Sequence, residues 1–319
     1  MRFRDLFGVA RAALASAVMF MLGAIVPVVG ALLMVFAPTP VLGCAVGFRH
    51  AMWRSIAVVL IAAGLVAFAG GLKAGGGYLA TIGAAATAMS YLIERRQPFE
   101  RIVVGATAMI VTAGAAVALA YTGSPQALAQ GLHNDLMGAL ARGEKLYGAA
   151  GLDLVLTADV RASVVNTTLS LMPALTAISA ALMVLANLAI FWRISGRQQR
   201  VGYALFGDLV RWSTPEWLIW VLLVTGFGVF IPIPAMSTIA LNCFVCLAAV
   251  YFCQGLAIMA FYFRLLAMPS LARVLIYFIT IVQPVLAVLV CTAGILDLWI
   301  DFRRLKPPSP EARNLGDFL

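Results

Sequence analysis

Asn187, Asn242, Gln254, Gln283 and Asp297 stand inside or at the edge of long apolar stretches. Amides and carboxylates are costly in hydrocarbon, so they turn toward the protein interior. There they contact a substrate, act in a gate, or hydrogen-bond a neighbouring helix. Asn242, Cys246, Ala249 and Cys253 recur at helical spacing on one face, with Gln254 beside them. A second concentration of polar groups closes the apolar region: Asp297, Trp299, Asp301, Arg303 and Arg304. Arg49 and His50 end a short apolar piece and read either as snorkelling anchors or as pathway residues.

Bond-breaking chemistry has no comparable support. The sequence contains no Walker A loop, no H-E-x-x-H and no G-x-S-x-G. Its two histidines, His50 and His133, fall on opposite membrane sides in the expected topology, which argues against a histidine metal centre or a serine–histidine–aspartate triad. Cys243 and Cys246 form a C-x-x-C without a second pair. All five cysteines lie in apolar runs, as small buried residues do. The sequence therefore predicts no catalytic, cofactor-binding or metal-binding residue.

The composition decides the surrounding medium. Hydrophobic residues make up 63% of the 319 positions and charged residues only 11%, against about 25% charged in soluble domains. The mean hydropathy is +1.00. The apolar runs are long and do not alternate, which predicts helices and excludes a barrel. The expected fold is all-α, a polytopic transmembrane bundle of about 8–9 helices. The net charge of +9 lies in short clusters between the apolar runs. That distribution fits the positive-inside rule and not nucleic-acid binding. The lipid bilayer is the first expected partner.

The spans follow from hydropathy and punctuation. Ala13 to Ala37 reads as the first, ended by Pro38 and Pro40, and Thr39 to Phe48 as a short crossing. Arg54 to Leu72 and Gly76 to Ile93 follow, with the turn expected at Lys73 and Gly75 to Gly77. Arg101 to Tyr121 is the fifth crossing. Leu128, Leu132, Leu136 and Leu140 then recur every four residues among polar ones, which predicts an amphipathic helix inside an extracytoplasmic segment, 123–165. It reads as a surface connector or as a lid over a cavity. Thr167 to Trp192 completes a six-helix front part, 1–200. Membrane helices fill 201–305, and 306–319 is a polar, mobile tail.

Charge counting leaves one conflict. With Arg2, Arg4 and Arg11 inside, six crossings place the Arg193 to Arg211 cluster inside as well. Nine crossings would put Arg303, Arg304 and Lys306 outside, against the rule. Either a break at Gln283–Pro284 makes the last segment re-entrant and returns the tail inside, or Asp297 and Asp301 offset the basic residues locally.

Two stretches of the back part carry a family resemblance. Tyr251-Phe-Cys-Gln-Gly-Leu-Ala-Ile258 and Gly294-Ile-Leu-Asp-Leu-Trp-Ile-Asp-Phe-Arg-Arg304, separated by a basic break at Arg264, resemble the C-terminal region of the YybS-like bacterial membrane proteins. That family is a domain of unknown function. Its front part is similar in layout to the substrate-binding components of energy-coupling-factor vitamin transporters. The resemblance implies a multi-pass protein of a bacterial cytoplasmic membrane, with a small-molecule cavity in the front part and the Leu128 to Leu140 helix as lid. The alternative is a non-transporting scaffold or assembly factor that holds a protein partner through its basic loops and C-terminal end.

Overall fold

The computed structural model describes residues 3–45, 51–149, 151, 156–195 and 209–303. All regular structure among them is helical. The chain divides into two compact units, Met1–Phe206 and Gly207–Leu319. Among the described residues, five helical stretches are long and apolar enough to cross a membrane, or six if one bent pair is a single span.

The first unit opens with α1 (Phe3–Ile25), which ends earlier than hydropathy alone indicates. Pro27 is the cause. The residue before a proline is pushed out of the helical region, and Val26 is extended at φ −112°, ψ 106°. The expected Ala13 to Ala37 span is therefore two arms. The second arm, α2 (Pro27–Val35) followed by α3 (Pro38–Ala45), folds back along α1. A side chain on Gly30 would strike the Leu22 backbone, and Ser16 hydrogen-bonds the Ala37 carbonyl.

The next stretch, α4 (Ala51–Tyr78), reverses within itself at Gly71 (φ 83°, ψ 169°). Glycine reaches that backbone conformation without steric cost. The two arms lie face to face: a Cβ on Gly75 would meet Ala67, and one on Gly83 would meet Val59. The second arm runs through a π-helical turn, Leu79–Gly83, into α5 (Ala84–Glu94). The 44-residue apolar stretch Ala51–Glu94 is thus a hairpin with two passes.

Helix α6 (Phe99–Thr122) follows, then α7 (Pro125–Ala149) and the long α8 (Ala158–Ser195). Ser124 caps α7 by accepting the Ala127 amide at 3.1 Å. Leu128, Leu132, Leu136 and Leu140 are half-buried, and α7 has no fully buried residue. Arg161 of α8 ties it down through a 2.9 Å ion pair with Glu144. The interior of the unit is filled by two apolar clusters, one around Val58, Val66, Tyr78 and Ile82, the other around Leu42, Met89, Ile102 and Leu188.

The second unit begins with a 3-10 turn, Leu209–Arg211, and contains α9 (Leu218–Gly228), α10 (Pro234–Leu265), α11 (Ser270–Val282) and α12 (Pro284–Ile300). Helix α9 runs antiparallel to α10, since Gly228 meets Ala240 while Ile219 and Leu222 share a cluster with Tyr251. The chain bends by 102° between α11 and α12, at Gln283–Pro284. As a result α12 runs in the same sense as α10. Cys291 reaches Ala248, Gly294 abuts Tyr251, and Asp297 meets Gln254. Helices α11 and α12 therefore do not form one straight span. The corner brings Arg303 back beside residues 210–214. Arg49, His50, Arg304, most of the 193–211 loop and the 306–319 tail lie outside the described residues.

Candidate functional sites

Two clusters of buried polar side chains stand out, one in each unit. In the first unit the return arm is interrupted between α2 and α3. A broken helix leaves carbonyls without intrahelical partners, and in hydrocarbon these must be met from elsewhere. Asn187 of α8 donates from Nδ2 to the Val35 carbonyl at 2.7 Å and to Met183 of its own helix at 2.8 Å. Its Oδ1 accepts from the Thr39 hydroxyl at 2.7 Å. On the other side Ser16 of α1 donates to the Ala37 carbonyl at 2.7 Å. A hydroxyl has one proton, so the 2.7 Å contact between Ser16 and Tyr78 is donated by the tyrosine. The Tyr78 ring meets Phe20 edge to face, and the π-helical turn starts at the next residue. Such turns are frequent at functional sites.

Ser16, Tyr78 and Asn187 are buried, and three helices plus the broken arm converge on one point. Nearer one end of the α4–α5 hairpin, where Glu94 accepts the Met52 amide at 3.0 Å, lie Ser55 and Ser90. Both are fully buried, and their hydroxyls have no partner among the described residues.

In the second unit Asp297, at the end of α12, pairs with Arg303 at 2.7 Å. Asp301 takes the left-handed conformation (φ 47°) and closes the helix, which turns the chain back so that Arg303 can reach Asp297. The other Arg303 nitrogen donates to the Val210 and Trp212 carbonyls, both at 2.8 Å. Gln254 bridges the rest, donating to Asp297 at 3.2 Å and accepting from the Thr214 amide at 3.1 Å. The Phe302 amide donates to the second Asp297 oxygen at 3.0 Å. Gln254 lies twenty residues along α10 from Pro234, about 30 Å at the helical rise. The network therefore sits about one hydrocarbon thickness from the Pro234 end.

A family model described as "Predicted membrane protein (DUF2232)" matches residues 14–298. The chain belongs to this family. No curated protein and no solved structure matches it. In this DUF2232 chain the two stretches that carried the resemblance pack against each other. Gln254 meets Asp297, and Gly255 abuts Gly294 so closely that a side chain on either would strike backbone.

Of the polar residues singled out in the sequence, Gln254, Asp297 and Arg303 meet in one network. Asn187 belongs to the other cluster. Asn242 donates to Thr238 one turn back in its own helix at 2.8 Å. Gln283 is exposed at the corner, Trp299 is exposed, and Asp301 is half-buried. As possible site residues, Ser16, Thr39 and Tyr78 in the first unit and Thr214 in the second were not singled out in the sequence. A signal for the first three existed in Pro38 and Pro40, since a break inside an apolar run requires outside partners for its carbonyls.

Proposed function

We propose that this DUF2232 chain is a membrane subunit that binds or transports a small, vitamin-like molecule through its first unit. The observation that carries the reading is the interrupted α2–α3 arm, ringed by Ser16, Thr39, Tyr78 and Asn187. Discontinuous helices with polar side chains at the break are how transporters present hydrogen-bonding groups to a substrate at membrane depth. The unpartnered hydroxyls of Ser55 and Ser90 add unused capacity that a polar ligand or water would satisfy. Among the described residues of this unit no charged side chain is buried, which favours an uncharged ligand. Helix α7 would cover the outer end. The basic N-terminal residues Arg2, Arg4 and Arg11 support a bacterial cytoplasmic membrane with the N-terminus inside. Enzymatic turnover forms no part of this reading.

A second reading, a non-transporting scaffold, is favoured by one observation. The four polar groups at the break already satisfy one another and the backbone, within an otherwise alkyl interior.

The test is extraction of small molecules from the purified full-length protein, with mass spectrometry of the extract. The transport reading expects one compound enriched over a mock purification and depleted from a Tyr78→Phe, Thr39→Val double variant. Absence of any enriched compound, together with recovery of a stoichiometric protein partner, would favour the scaffold.

A further inference from the structure

Ser55 and Ser90 stand on the two passes of the α4–α5 hairpin. Met52, Ser55 and Val59 recur at i, i+3 and i+7, which places them along one side of the first pass. Gly83, Thr87, Ser90 and Glu94 recur at i, i+4, i+7 and i+11 along one side of the second. These two sides meet at both ends. A Cβ on Gly83 would lie 2.8 Å from Val59, and the Met52 amide donates to Glu94 at 3.0 Å. Between those contacts the facing residues are Ser55 on one pass and Thr87 and Ser90 on the other. At the helical rise Ser55 is about 4.5 Å from Met52 and Ser90 about 6 Å from Glu94, so the two serines share one level to within about a helical turn.

Both serines are buried at 0% exposure, and neither hydroxyl has a partner among the described residues. A hydroxyl in an apolar helix ordinarily bonds the carbonyl one turn back. Thr81, Thr87 and Thr112 do so, and Thr87 is thereby satisfied by the Gly83 carbonyl. Ser55 and Ser90 bond neither the carbonyls one turn back, Ala51 and Ala86, nor each other. The buried residues next to them, Val58, Val59, Ala86 and Met89, are apolar. An unpaired buried hydroxyl costs stability, and two at one level are both relieved by a third group that reaches them.

We infer that a water molecule is held between Ser55 and Ser90 and hydrogen-bonds both. Water is the smallest molecule that donates and accepts, and a buried water takes about three polar partners. The two hydroxyls supply two of them. The Ala51 and Ala86 carbonyls each keep a second lone pair for another. Such a water fastens the two passes of the hairpin at a level where their side chains make no bond of their own. The inference does not rest on transport through this unit. A hydroxyl of a bound ligand has the same chemistry, and the experiment separates the two sources.

The experiment is a double-variant cycle on the full-length protein in detergent, dialysed free of small molecules and followed by thermal unfolding. Ser55→Ala and Ser90→Ala are each expected to lower the unfolding temperature by about 2 °C. The double variant is expected to lose no more than the larger single loss, because one water serves both hydroxyls. Ser163→Ala, at an exposed position of α8, should lower nothing. A high-resolution crystal structure of the dialysed wild type is expected to show an ordered oxygen within hydrogen-bond reach of both hydroxyls. An unchanged or raised unfolding temperature in either single variant would overturn the site, since it would show a hydroxyl with no bond to lose. Additive losses, or losses seen only before dialysis, would overturn it as well. So would a crystal structure in which the two serines bond each other directly or turn to the carbonyls one turn back.

Discussion

Asp297 and Arg303 form a buried ion pair whose arginine also holds the Val210 and Trp212 carbonyls. The last helix of the second unit and the chain that enters that unit are thereby fastened to one another. Breaking a buried pair by removing one partner strands the other charge, at about 3–5 kcal/mol.

Asp297→Asn and Arg303→Gln are therefore each expected to lower the thermal unfolding temperature of the purified protein in detergent. The double variant should lose less than the sum of the two, because it strands no charge. Additive losses would mean that the residues act independently.

Asn187 closes the broken arm. Replacement by Ala leaves the Val35 carbonyl and the Thr39 hydroxyl unpaired, at about 1–3 kcal/mol for each stranded group. Asn187→Ala should destabilise more than Asn242→Ala, whose amide donates to Thr238 of its own helix. Thermal unfolding of the two variants side by side decides this, and equal losses would contradict the assignment.

Gly255 and Gly294 let α10 and α12 touch through their backbones. Gly294→Leu is expected to prevent the second unit from packing, which would appear as aggregation on size-exclusion chromatography. Gly114→Ala in α6, where nothing lies within 4 Å of the new carbon, should be neutral or stabilising by up to about 1 kcal/mol.

Helix α10 ends in a Schellman cap, with the Met268 amide donating to Phe263 at 3.0 Å and the Ala267 amide to Arg264 at 3.1 Å, and Ala267 holds its left-handed position at φ 47°. A Cβ there costs about 1–2 kcal/mol. Ala267→Gly should raise the unfolding temperature. An unchanged or lowered temperature would show that the cap carries no such strain.

The medium, the helical class and several of the turns were legible from hydropathy, because long unbroken apolar runs have few other solutions. Charge counting raised the corner at Gln283–Pro284 as one of two alternatives and did not choose between them. The first span was not legible. Val26 and Pro27 sit inside continuous apolar sequence, and hydropathy does not register a proline that reverses the chain. The hairpin of α4 shows the same limit. Gly75, Gly76 and Gly77 read as the turn, but Gly71 makes it. Gly75 and Gly76 instead provide room for Ala67 and Tyr121. Sequence records that glycine is present and not which of its two uses applies.

The candidate sites were half legible for a related reason. An amide or carboxylate in an apolar run announces itself, so Asn187, Gln254 and Asp297 were visible. Ser16, Thr39 and Tyr78 were not, because hydroxyl groups are common in membrane helices, where they usually bond a carbonyl one turn back. Thr81, Thr112 and Thr225 do so here. Only the packing shows that Ser16 bonds across helices instead.

The most direct test of the central functional claim is equilibrium ligand binding to the full-length protein in nanodiscs, screened over uncharged water-soluble vitamins and their precursors. The account predicts saturable binding of at least one compound, weakened about tenfold by Tyr78→Phe with Thr39→Val through loss of hydrogen bonds at the break. Binding that is nowhere saturable, or that is indifferent to those substitutions, would contradict it.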